Sequence, residues 1–101
     1  MFSKKDINAG VAEYASREGA LLIDVRDEEE FAAGHIPGAI NIPLGRIALI
    51  EDAADDPDTP IYLYCMSGVR SARAEAVLGA MGYTSVQSIG GISGYKGSIE
   101  K

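Results

Sequence analysis

The chain has 101 residues, 47% hydrophobic and 24% charged, figures that suit one compact domain over 1–101 and are too apolar for a disordered chain. Nine Lys and Arg against fifteen Asp and Glu leave a net charge of −6, which repels phosphate backbones and anionic lipid, so neither nucleic acid nor membrane is expected as a partner. No apolar run reaches the roughly 20 residues of a spanning helix, and the opening MFSKKDINAG lacks an apolar signal core, so a cytoplasmic location is expected. Cys65 is the only cysteine and His35 the only histidine, which excludes an internal disulfide and a four-ligand zinc site built from those residue types. Any cysteine chemistry belongs to a lone thiol.

Ser3 and Asp6 form a capping pattern, and Ile7, Val11 and Tyr14 recur at helical spacing until Gly19, which predicts a helix over 4–17. ALLIDV (20–25) is a continuous apolar run with β-branched residues, the pattern of a strand buried on both faces. DEEEFAAG (27–34) places acids in a first turn and Gly34 at the end, as a short helix prefers. AINIP (39–43) predicts a second strand, GRIALIED (45–52) a helix, and the acidic EDAADDPDTP (51–60) a surface loop. IYLY (61–64) is a third strand, SARAEAVLGAMG (71–82) a helix closed by Gly82, and SVQSI (85–89) a fourth strand before Gly90-Gly91 and a last short turn. Strands alternating with helices along the whole chain predict an α/β domain with a mostly parallel sheet, whose ligands bind beyond the carboxyl ends of its strands.

Cys65 stands at such a strand end, followed by Met66, Ser67, Gly68, Val69 and Arg70, with Ser71 opening the next helix. A loop this short can curl its N–H groups around the sulfur, Gly68 allows backbone conformations that other residues resist, and Arg70 supplies a permanent cation. All of these favour thiolate over thiol. A free thiol with a pKa near ~8.5 is only about 7% ionised at pH 7.4, and two units of depression, roughly 2.7 kcal/mol, would make it mostly thiolate. Four acids cluster at 27–30 and five at 51–58, whereas 59–74 carries Arg70 and Arg73 and no acid, so the loop is locally basic and suits a small anionic substrate. Arg73 reads as a solvated or ion-paired helix residue.

These residues resemble the rhodanese-like sulfurtransferases over nearly the whole chain. Asp24-Val25-Arg26, Glu30-Phe31 and Gly34-His35-Ile36-Pro37-Gly38-Ala39-Ile40-Asn41-Ile42-Pro43 look like the family's first signature. Cys65 to Ser71 is similar to its active-site pattern of Cys, two residues, Gly, one residue, Arg and Ser, and Gly82-Tyr83, Val86 and Gly90-Gly91-Ile92 to its closing signature. The resemblance implies a three-layer domain with a central parallel sheet of four to five strands flanked by helices, the first strand starting at Phe2-Ser3. It implies catalysis through a persulfide on Cys65, with a small anionic sulfur donor such as thiosulfate, and cyanide, a thiol or a sulfur-accepting protein as acceptor. No metal or organic cofactor is expected. Within it, Met66 to Ser71 would bind substrate, Arg70 holding its oxygens.

Related phosphatases and arsenate reductases on this fold have five residues between Cys and Arg; here there are four, which favours sulfur as the reacting atom. Two positions depart from common family patterns. Tyr95 stands where many relatives have Trp, and uncharged Met66 and Ser67 stand where some thiosulfate-specialised relatives carry cations. Asp24 and Arg26 either orient the loop or form a paired network with Glu30, His35 reads as a hydrogen-bonded turn residue, and Ser71 either caps the helix or donates to the sulfur. The rival to an enzyme is a persulfide carrier or redox-sensing domain that acts on a partner protein.

Overall fold

Apolar runs with no polar face make strands that must be covered on both sides, and the sequence supplies helices before and after each one. In the computed structural model, which describes residues 6–101, these become α1 (Ile7–Ser16), β1 (Leu21–Asp24), α2 (Glu28–Ala33), β2 (Ile40–Asn41), α3 (Ile50–Ala53), β3 (Ile61–Cys65), α4 (Val69–Ala80) and β4 (Val86–Gly91). A 3-10 segment, Leu44–Leu49, precedes α3, and a 3-10 turn, Ile92–Gly94, follows β4. The strands form one sheet in the order β2-β1-β3-β4, all neighbours parallel. The strand that the resemblance places at Phe2-Ser3, and the Ser3 cap, lie outside the described residues. Asp6 is the N-cap of α1, its carboxylate accepting the Ala9 N–H at 2.9 Å.

Side chains alternate across a strand, so the sheet sorts its apolar residues into two cores. Leu22, Tyr62, Tyr64 and Ile89 point to one face and pack with Ile7 and Ile36 under α1. Ile23, Ile61, Leu63 and Cys65 point to the other, with Ala74 and Leu78 of α4 and with Ile47, Ile50 and Ala54. Every residue of β3 is buried, as a central strand requires, and its last residue, Cys65, lies in the α4-side core.

The sequence expectations need three corrections. The helix expected over 45–52 is divided: Leu44–Leu49 is 3-10 and broken at Arg46, whose φ of −122° and ψ of 23° are not helical, and only Ile50–Ala53 is α-helical, with Ile47 and Ile50 buried in the core. The acidic stretch begins inside α3. The helix expected to start at Ser71 starts at Val69, with Gly68 as its N-cap, so Arg70 and Ser71 lie in its first turn.

Candidate active site

Cys65 ends β3 where the register with β4 shifts, pairing it with Gly91. The chain then turns back over the sulfur through exposed Met66 and Ser67 to Gly68, whose φ of +104° is a conformation that glycine adopts at little cost. Gly91 permits the close approach of this turn: a Cβ there would collide with the Met66 carbonyl oxygen and lie 2.6 Å from Ser67 Cα. The Met66 carbonyl is further held by the Ser93 N–H at 3.2 Å. The Gly-Gly pair of the closing signature is therefore the floor on which the cysteine loop rests.

The result is a ring of donors aimed at one atom. The N–H of Gly68 lies 3.0 Å from Cys65 Sγ and that of Ser71 3.4 Å away. Ser71 Oγ is 3.7 Å from the sulfur, 3.1 Å from the Gly68 carbonyl and 2.7 Å from Ser88 Oγ. Cys65 is only 1% exposed, and burial alone pushes its thiol up. The backbone N–H and hydroxyl of Ser71, with the N–H groups of Gly68 and Ser67, outweigh that burial and hold the thiol below its ordinary value. A buried cysteine in a wholly apolar pocket would shift the opposite way. Ser71 is not the helix cap; of its two sequence readings, the contact to sulfur is the one present.

Arg70 extends from the first turn of α4 but does not stand free. Its Nη1 donates to Glu30 Oε1 at 2.7 Å and its Nη2 to Glu30 Oε2 at 3.2 Å. Glu30 closes a capping box at the start of α2, where it also accepts the Asp27 N–H at 3.0 Å. Its carboxyl is drawn down to about 2, chiefly by Arg70 and against its partial burial.

Asp24 and Arg26 form a separate buried pair, Nη2 to Oδ2 at 2.8 Å with side chains 0% and 4% exposed, and not a network closed through Glu30 hydrogen bonds. Arg26 Nη2 also donates to the Gly34 carbonyl at 2.6 Å, and the Ile36 N–H donates to Tyr64 Oη at 3.1 Å, so the pair and the tyrosine pin the Gly34–Gly38 turn to the sheet. His35 stacks on Phe31 with ring centroids 3.7 Å apart and donates from Nδ1 to the Phe31 carbonyl at 2.9 Å. Its contacts run to α2 and to Glu100, away from the cysteine loop. Arg73 is exposed and lines a groove of about 650 Å³ that the loop shares with Ser88 and Gly91. Sequence reasoning missed Ser88 and the grip of Glu30 on Arg70. No local pattern marks contacts made 17 and 40 residues away.

The rhodanese-like domain family matches residues 8–98. The chain belongs to that family. The thiosulfate sulfurtransferase PspE of Escherichia coli (strain K12) is 41% identical over 71 residues, which cover 69% of this rhodanese-like chain and 68% of the relative. The uncharacterized protein YqhL of Bacillus subtilis (strain 168) is 43% identical over 82 residues, 80% of this chain and 64% of the relative, so the chain spans about two thirds of the length of these relatives. Among solved structures, a rhodanese with anions from E. coli superposes with a TM-score of 0.76 at 36% identity, covering 81% of this chain and 98% of that one. The parallel sheet and flanking helices are thus those of a rhodanese-like fold. Among the described residues no helix is long and apolar enough to cross a membrane.

Proposed function

We propose that the protein is a sulfurtransferase that carries sulfane sulfur as a persulfide on Cys65. The observation that carries this reading is the ring of N–H donors closed around a single buried sulfur at 3.0 and 3.4 Å. Such donors stabilise an anion on sulfur with no reorganisation at the moment of reaction. The thiolate attacks the outer sulfur of a donor such as thiosulfate, the donor's S–S bond breaks, and sulfite leaves with the electron pair. An acceptor, cyanide or a thiol, then attacks the outer sulfur of the persulfide and restores the thiolate. The same donors serve both half-reactions, because each begins or ends with charge on Sγ. No general base is required for a thiolate already formed, which agrees with His35 facing α2. Met66, Ser67, Gly68 and Val69 shape the mouth, and Asp24 with Arg26 holds the adjoining turn.

The names of the relatives support the same chemistry. The test is intact mass after incubation with thiosulfate: wild type gains about 32 Da and loses it to cyanide, whereas Cys65→Ser gains nothing. No gain in wild type, or an equal gain in the serine variant, would end the proposal.

A further inference from the structure

The cation expected to receive substrate oxygens is already occupied. Both ends of the Arg70 fork are bonded to Glu30, at 2.7 and 3.2 Å, and the two side chains are 33% and 30% exposed, so the pair stands at the border of site and solvent. Glu30 is held in this place from behind by the Asp27 N–H of its own capping box. With its carboxyl drawn down to about 2, it is an anion at every working pH. Cys65 and Asp27 lie within the field of Arg70 as well, so one guanidinium faces several negative groups once the thiolate forms. Met66 and Ser67 add no charge.

Attack on thiosulfate brings a thiolate and a dianion together, three negative charges in all, and sulfite departs with two. Attack on the protonated form of an alkyl hydropersulfide carries one: Sγ bonds the outer sulfur, the S–S bond breaks, the parent thiolate leaves with the electron pair, and the outer sulfur keeps its proton. A cation compensated at hydrogen-bond distance attracts a dianion far less than a free one.

We infer that Glu30 is a specificity-determining residue, neutralising Arg70 so that the Cys65 site takes sulfane-sulfur donors of low charge, such as alkyl hydropersulfides, in preference to dianions. The inference rests on the sulfur-transfer reading above for its substrate class. Glu30→Gln removes the charge while a glutamine still fits the capping box and can accept from Arg70. The expected result is a rise of about fivefold or more in kcat/KM for thiosulfate at low salt, with the value for 2-mercaptoethanol hydropersulfide changed less than twofold. The gain should fade at 1 M salt, where the screening length is about 3 Å. Glu28→Gln, which alters net charge equally but loosens only the exposed contact to Arg46, should leave the donor ratio as it is in wild type.

A second measurement needs no sulfur transfer. The ratio of Cys65 alkylation rates with iodoacetate and with neutral iodoacetamide should rise in Glu30→Gln and not in Glu28→Gln. An unchanged or lower ratio in folded Glu30→Gln, or equal losses with both sulfur donors, would overturn the inference. If instead the ratio rises while wild type forms no persulfide with either donor, the sulfur-transfer reading fails and the exclusion of anions by Glu30 stands.

Discussion

Replacing Ser71 by Ala removes the one side-chain hydroxyl seen at the sulfur and leaves the backbone N–H donors of Gly68 and Ser71 in place. A hydrogen bond to a charged group contributes about 1.5–3 kcal/mol. At 3.7 Å, with its proton shared with the Gly68 carbonyl at 3.1 Å, this one belongs below that range, at about 1 kcal/mol. Divided by 1.36 kcal/mol per unit, that is a rise of roughly 0.7 in the midpoint of the thiol. The sign follows from the charge: the hydroxyl favours thiolate, so its loss raises the midpoint. The assay is the pH dependence of Cys65 alkylation by iodoacetamide, a neutral reagent that the Arg70–Glu30 pair does not attract or repel. Wild type should titrate below the ~8.5 of a free thiol, and on the acid limb the variant should react about fivefold more slowly. Stability gives a linked check. A thiol held below its unfolded value stabilises the fold above that unfolded value and loses this contribution as pH falls through the folded midpoint, so wild type should gain more stability than Ser71→Ala between pH 7 and 9. A folded Ser71→Ala protein with an unshifted or lowered midpoint would refute the assignment of the hydroxyl to the sulfur.

Three further substitutions probe the frame. Gly91→Ala should lower stability by about 1–3 kcal/mol in thermal melts and raise the Cys65 midpoint, because its methyl displaces the Met66 carbonyl; Gly79→Ala, in open space on α4, should stabilise by about 0.5–1 kcal/mol in the same melts. Asp24→Ala strands Arg26 in the core with the Gly34 carbonyl as its remaining side-chain bond, and should cost about 3–5 kcal/mol in urea unfolding.

The fold was legible in sequence because its signals are local. IYLY has no polar face and must be a covered strand, AEAVLGA is a helix former, and glycine marks the helix ends, so α/β order follows from neighbours along the chain. The place of Cys65 at a strand end, and the glycine needed three residues on, were readable for the same reason. Short-range rules were weaker where core packing overrode propensity, as in the segment broken at Arg46 that buries Ile47 and Ile50. Charges behaved differently again. Arg70 in sequence is a free cation two residues after Gly68, and Glu30 is one acid in a run of four; only the fold, which brings α2 to the start of α4, joins them. The partner of the Ser71 hydroxyl shares that origin, since Ser88 reaches it only because β4 pairs with β3. Composition and periodicity thus determine which segments pair with apolar surroundings, a property of each segment by itself. The N–H groups at Sγ come from residues three and six positions on, so the loop sequence itself supplies them; which cation is neutralised depends on contacts of about 3 Å between residues far apart in the chain, and tertiary structure alone sets those.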